Sequence, residues 1–304
     1  LSDARGDLWI GTFGAGLNRL RRDGDDFERF VTGPTEGALG GDRVLTLAEA
    51  PDGVLWVGME GAGLDRLDPR TGTFEHHRRF ELTAPATGSL EIDTVTDMHF
   101  DSAGTLWIGT RGQGLLGWSG TDRASGTARA RILDRAVGMP ADAVYGIVEA
   151  EDGAIWVSSN RGLARVEPAS GAIRQFDDRN GLQDSEFNSA RLRSASGHLL
   201  FGGPEGLVRF RPGELPYNDH SPPVVVSASS RERRLVTAHA SGATLTVEIG
   251  YLEPFLAFEF VALDFVSPDK NQYRYRLEGF DPDWVDAGRV RRATYTNLPA
   301  GRYT

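Results

Sequence analysis

Asp7-Leu8-Trp9-Ile10-Gly11-Thr12, followed by Gly14-Ala15-Gly16-Leu17, decides the fold, because the chain keeps returning to it. It comes back as Leu55-Trp56-Val57-Gly58 with Gly61-Ala62-Gly63-Leu64, and as Leu106-Trp107-Ile108-Gly109-Thr110 with Gly112-Gln113-Gly114-Leu115. It thins to Ile155-Trp156-Val157-Ser158 with Gly162-Leu163, and ends in Leu199-Leu200-Phe201-Gly202 with Gly206-Leu207, where leucine replaces the tryptophan. The steps are 47, 51, 49 and 44 residues. Self-similarity at that period signals a propeller or array, whose units bury their apolar faces against one another.

Each unit reads as four short strands. In the second they are Val44 to Glu49, Leu55 to Gly58, Leu64 to Leu67 and a fourth near Phe74 to Arg78. Pro51-Asp52-Gly53 and Pro69-Arg70-Thr71-Gly72 supply the positive or preset φ of tight reversals. Leu-Trp-Ile-Gly is apolar toward both faces, as a strand covered on each side by a neighbouring sheet must be. Trp9, Trp56, Trp107 and Trp156 are therefore expected as packing between blades, with the adjacent glycine leaving room for a neighbour. First-strand segments recur at 44–49, 95–100, 144–150 and about 187–193, but none precedes Trp9. The last unit stops after Leu207-Val208-Arg209-Phe210. The expectation is an all-β chain containing an incomplete β-propeller of about five four-stranded blades.

With 304 residues the chain can bury a large core, and length alone suggests two domains. It has no cysteine, so a disulfide framework, thiol nucleophile or thiolate metal site is excluded. The net charge of −10, with scattered Lys and Arg, argues against nucleic acid and anionic membranes as partners. No stretch approaches a bilayer span and no signal-peptide pattern opens the chain, so any membrane contact is expected through a segment outside it.

The propeller repeats are assigned to 1–212 and a Pro-rich linker to 213–223, where the period stops. Strand-like runs follow at Val224–Ser230, Leu235–Ala238, Ala243–Ile249, Phe255–Phe265, Gln272–Leu277 and Ala293–Thr296. Tyr273, Tyr275 and Leu277 alternate with Arg274 and Arg276, the pattern of a half-buried strand. Residues 224–304 are read as a small immunoglobulin-like β-sandwich.

No Gly-x-Ser-x-Gly, His-Glu-x-x-His, phosphate-cradling or dinucleotide motif is present, and no cofactor or metal is expected. The Gly-x-Gly segments join antiparallel strands instead of opening a helix, so they make no anion site. His76 and His77 fall on an outer strand with opposite faces, which disfavours shared ligation. Asp23-Gly24-Asp25-Asp26 reads as a solvated hairpin turn in preference to a calcium loop. Recognition is expected on the loops that share one propeller face. Between second and third strands these carry Phe13, Glu60, Arg111, Gln113, Asn160, Arg161 and Glu205; between blades they carry Asp42, Arg43, Asp93, Asp142 and Tyr145. An arginine there can fork onto a carboxylate or sulfate, and Tyr145 or Phe13 can stack on a sugar ring.

The Leu-Trp-Ile-Gly-Thr…Gly-x-Gly-Leu units resemble the two-component regulator propeller repeat, and Gly181-Leu182-Gln183-Asp184-Ser185-Glu186-Phe187-Asn188 resembles the last blade of that family. Tyr275-Arg276-Leu277-Glu278-Gly279-Phe280-Asp281, Trp284 and Tyr295 through Tyr303 are similar to the three-tyrosine domain that follows such propellers, with Tyr275, Tyr295 and Tyr303 as its tyrosines. The resemblance implies part of a seven-bladed ring in the periplasmic sensing region of a bacterial inner-membrane protein. It also implies a homodimer and a small-molecule ligand, with oligosaccharides among the candidates. The output, a histidine kinase or diguanylate cyclase, would lie outside this chain. The alternatives are a secreted propeller lyase or hydrolase acting on polysaccharide, a scaffold for protein partners, and a quinone-cofactor propeller. The last is disfavoured by Thr73-Phe74 and Ala172-Ile173, where that class carries tryptophan.

Overall fold

The tryptophan repeats fold into five antiparallel sheets in the computed structural model, which describes residues 1–35, 37–83, 86–182, 185–215, 222–230, 233–239, 248–250, 255–265, 268 and 271–304. Two units emerge, Leu1–Tyr217 and Asn218–Thr304.

In the first unit, β1 (Leu8–Gly11), β2 (Leu17–Leu20) and β3 (Phe27–Phe30) form the first sheet. The second contains β4 (Val44–Glu49), β5 (Leu55–Met59), β6 (Gly63–Asp68) and β7 (Thr73–His77). The chain then leaves the blade as a hairpin, β8 (Arg79–Thr83) and β9 (Ser89–Glu91). The third sheet contains β10 (Val95–Phe100), β11 (Leu106–Thr110), β12 (Leu115–Trp118) and β13 (Arg129–Leu133), with a short helix α1 (Gly120–Ala124) before β13. Strand β8 pairs parallel to β13, which widens that sheet to the order β10-β11-β12-β13-β8-β9. The fourth has β14 (Gly146–Glu149), β15 (Ile155–Ser159), β16 (Gly162–Val166) and β17 (Ile173–Phe176). The fifth has β18 (Arg191–Arg193), β19 (Leu199–Gly203) and β20 (Gly206–Phe210). The acidic run 23–26 is the exposed turn between β2 and β3.

Every residue of β5, β11 and β15 is buried. Each tryptophan reaches the following sheet: Trp9 clusters with Leu55 and Val57, Trp56 with Leu106 and Ile108, Trp107 with Ile155 and Val157, and Trp156 with Leu199 and Phe201. The glycine beside the tryptophan makes this stacking possible. A Cβ on Gly58 would lie 2.6 Å from Thr46 and 2.7 Å from Val95, the first residue of the next inner strand. In the first sheet Leu8 and Ile10 are exposed, because no described sheet covers that flank. Leu192 and Leu207 of the fifth sheet are exposed in the same way.

The second unit has two sheets. One contains β21 (Val224–Ser230), β22 (Arg233–His239), β23 (Phe255–Ala262) and β26 (Arg292–Thr296) in the order β22-β21-β23-β26. The other pairs β24 (Tyr273–Tyr275) with β25 (Val285–Gly288). The run proposed at Ala243–Ile249 lies outside the described residues up to 247, and Glu248–Gly250 is not strand. The linker reading also falls partly outside them, at 216–221, as do Gln183 and Asp184 of the last-blade motif. The sandwich core contains Phe260, Leu277, Ala293 and Tyr295, with Tyr273, Tyr275 and Tyr303 packed against it. Tyr295 lies 6.3 Å from Tyr275 and 5.6 Å from Phe280, edge-on to both. Its hydroxyl donates to Asp281 Oδ2 at 2.6 Å, and burial followed by that carboxylate holds it above the usual tyrosine range, as a donor. Tyr303 donates to the Pro299 carbonyl at 2.8 Å.

Candidate functional site

The loop face of the propeller is built by its glycines. In the first blade the N–H groups of Gly14 and Gly16 both donate to the Asp42 carbonyl; in the third, Gly112 and Gly114 do the same to Asp142. Gly114 sits at φ +84°, and a Cβ there would lie 2.3 Å from the Leu133 carbonyl, so the backbone crossing needs glycine. The carboxylates of these two aspartates brace their own loops. Asp42 accepts from Thr32 N–H and hydroxyl, each at 2.8 Å, and Asp142 accepts from Arg135 N–H at 2.8 Å. Both acids are thus engaged in loop structure.

On this frame one carboxylate joins the second and third blades. Glu60, just after β5, accepts from Arg43 Nη1 at 2.9 Å through Oε2 and from Arg111 Nη1 through Oε1. Arg43 in turn lies 4.9 Å above the Phe13 ring, which is 65% exposed. The Arg111 and Arg43 guanidinium groups hold the Glu60 carboxyl below the usual carboxylate range. Exposed ion pairs stabilise folds little, so the consequence of this chain is fixed charge on the loop face.

Arg111 lines two neighbouring cavities. One, of about 410 Å³, is shared with Tyr145, Glu186, Asn188 and Pro204. The other, of about 480 Å³, is shared with Glu60, Asp93 and Gln113. Gln113 Nε2 donates to the Glu91 carbonyl at 2.5 Å. The structure thus gathers Phe13, Glu60, Arg111, Gln113 and Tyr145. Asn160, Arg161 and Glu205 sit on exposed loops and line neither cavity. Asn188, named in the last-blade motif but not among the recognition residues, holds the position before the fifth inner strand that Tyr145 holds before the fourth.

Beneath the first cavity the inner strands of four blades meet at Asp97, the neighbour of the cavity residue Thr96. Asp97 Oδ1 accepts from Arg191 Nη2 at 2.5 Å and Thr46 Oγ1 at 3.2 Å, and Oδ2 accepts from Ile147 N–H at 2.7 Å. Burial pushes its pKa up to about 6, with Arg191 pulling the other way. Nothing in the repeat pattern marks this junction, because aspartate occurs there in one unit only. His76 and His77 part as their alternation requires: His76 Nδ1 lies 2.7 Å from Asp65 Oδ1, and His77 packs 5.3 Å from Trp56 and 5.1 Å from Trp118. No group of three metal-ligating side chains occurs among the described residues.

The two component regulator propeller family matches residues 89–112, and the Y_Y_Y domain family matches residues 264–304. The chain therefore carries a regulator-propeller repeat and a three-tyrosine domain. It is 27% identical over 176 residues to Histidine kinase P4 of Formosa agariphila, covering 55% of this chain and 13% of that protein. Among solved structures it resembles two extracellular domains from B. thetaiotaomicron, those assigned to hybrid two component systems BT3049 and BT4673. The first aligns with a TM-score of 0.62 at 21% identity, over 100% of this chain and 40% of the other. The second aligns with a TM-score of 0.60 at 18% identity, over 100% and 53%. These likenesses give the fold: a propeller followed by a three-tyrosine domain. The chain spans only a part of each of these relatives.

Proposed function

We propose that this chain is the ligand-sensing region of a membrane-bound bacterial signalling protein, lying in the periplasm and coupled to a kinase or cyclase output outside these residues. The observation that carries the proposal is the order of the parts, a regulator-propeller repeat and then a Y_Y_Y domain, in a chain whose loop face offers two cavities. No catalytic step is assigned to this stretch. A ligand on the loop face would bias one of two arrangements of a homodimer, and the three-tyrosine domain would transmit the bias. A ligand does this only if it binds the two arrangements with different affinity.

The test is the association constant of the chain by sedimentation, with and without saturating neutral and acidic oligosaccharides. A saccharide that binds and shifts association by about tenfold, the range of ordinary coupling energies, supports sensing. Binding without any shift in association sinks the dimer relay. Release of shortened or unsaturated products from a polysaccharide would replace sensing with the enzymatic alternative.

A further inference from the structure

The two cavities that meet at Arg111 differ in hydrogen-bonding character. Arg111 spends Nη1 on Glu60, and its Nε and Nη2 make no hydrogen bond among the described residues. The Tyr145 hydroxyl, in the same wall, has no partner among them either. Asn188 uses Oδ1 to accept from Ala190 N–H at 2.9 Å, which leaves its NH2 as the free end. Glu186, the acid in this wall, already has a partner. Beside that carboxylate, Arg111, Tyr145 and Asn188 present N–H and O–H donors. Across Arg111 the balance reverses: Glu60 and Asp93 bring carboxylates, and Gln113, having committed Nε2, offers Oε1.

From this juxtaposition we propose that the loop face binds a sugar acid. Its carboxylate would lie on the free edge of Arg111 between Tyr145 and Asn188, and its hydroxyls or those of a linked sugar would donate to Asp93 and Gln113. The proposal rests on the ligand-sensing reading and adds to it the ligand class. A guanidinium edge and a carboxylate match in two parallel hydrogen bonds, which a neutral hydroxymethyl group cannot reproduce. The acceptors across Arg111 would repel a second negative charge, so the geometry selects one carboxylate flanked by hydroxyls over a polyanion. The Tyr145 ring adds an apolar face for a pyranose.

The experiment is calorimetric titration with uronic acid disaccharides of galacturonate and glucuronate, each beside the neutral disaccharide in which hydroxymethyl replaces the carboxyl. The expected result is that at least one acid binds about tenfold or more tightly than its neutral counterpart. Arg111→Gln should abolish that preference, and Tyr145→Phe should weaken the acid by a few-fold. Arg70→Gln, at an exposed arginine on the turn between β6 and β7, should change nothing. Thermal unfolding of each variant within a few degrees of the parent shows that the fold is kept; if Arg111→Gln fails this, Arg111→Lys replaces it, and loss of the bidentate edge should still remove most of the preference. Equal affinity for every acid and neutral pair, a preference that survives these changes, or no acid binding at millimolar concentration overturns the assignment. Neutral saccharides that shift association while the acids do not would sink the sugar-acid class and leave ligand sensing standing. Acid binding without an association shift would leave the sugar-acid class standing and sink the dimer relay.

Discussion

An aspartate at the head of a turn decides whether the tryptophan after it finds a partner. Asp101 accepts from the N–H groups of Ala103 at 3.0 Å and Thr105 at 2.7 Å through Oδ1, and from Trp107 Nε1 at 2.8 Å through Oδ2. Asp3 serves Trp9 in the same way, at 2.9 Å. In the fourth unit Ala150 takes that place, and Trp156 Nε1 is buried without a partner among the described residues. Asp101→Ala, which strips three hydrogen bonds and orphans a buried indole, should lower stability by about 2–3 kcal/mol. Ala150→Asp should raise it by about 1 kcal/mol by giving Trp156 its missing acceptor. Urea midpoints decide both, and an unchanged Ala150→Asp midpoint would refute the second. A second residue-level pattern runs between blades. Glu49 accepts from Ala4 N–H at 2.9 Å, and Glu149 accepts from Ser102 N–H at 3.0 Å, each capping the turn of the preceding blade. The corresponding turn residue in the second blade is Pro51, which has no N–H, and the third blade carries Phe100 where the second and fourth carry glutamate.

Elements were legible where a strand has two neighbours to satisfy. The strands around Trp56, Trp107 and Trp156 announce themselves because burial on both faces restricts each position at once. The hairpin β8–β9 was not legible: Arg79-Phe80-Glu81-Leu82 carries one deeply buried apolar residue among charges, and its parallel partner β13 lies some 50 residues away in sequence. Strand β25 was missed for the same reason, since Val285–Gly288 is mostly exposed. Phe80 is fully buried and sits edge-on to Trp118 at 5.1 Å, so Phe80→Ala should cost about 3–4 kcal/mol in thermal or urea unfolding. A loss under about 1 kcal/mol would mean that the hairpin merely rests on the blade. The candidate site was half legible. Repeat arithmetic put Glu60, Arg111 and Tyr145 on one face, but only three-dimensional packing shows that Asn160 and Arg161 stand apart, or that Asp97 ties four inner strands together. Asp97 has a measurable signature. Its folded pKa, about 6, lies above the ordinary 3.8, so the native state binds more protons between those values. Its contribution to stability is therefore greatest below pH 4 and is lost as pH rises through 6. His77 and His99, pushed down by burial, act in the opposite sense on acidification. Asp97→Asn isolates the carboxylate: relative to the parent, the variant should melt higher at pH 7.5 than it does at pH 4.5. A difference independent of pH would show that Arg191 keeps the group ionised throughout.

At the scale of the whole chain, the division into two units is a division of cores. The four apolar clusters of the propeller contain no residue beyond Leu215, and the sandwich cluster begins at Val224. Each unit thus has an apolar core of its own among the described residues, and separate cores are expected to open separately. The three-tyrosine motif allows a direct test. In the sandwich, Asp281 Oδ2 accepts both from Tyr295 and from Leu277 N–H at 2.7 Å, so one carboxylate ties β26 to the turn after β24. Tyr295→Phe removes one of these bonds without opening a cavity and should cost about 1–2 kcal/mol. Hydrogen exchange read by mass spectrometry on peptides from both units should show faster exchange in 255–262 and 292–296. Peptides covering 44–68 and 106–118 should exchange as in the parent. Equal acceleration in the propeller peptides would show instead that the two cores open as one cooperative body. The sandwich could not then serve as an independent relay element, and any signal would have to pass through the chain as a single unit.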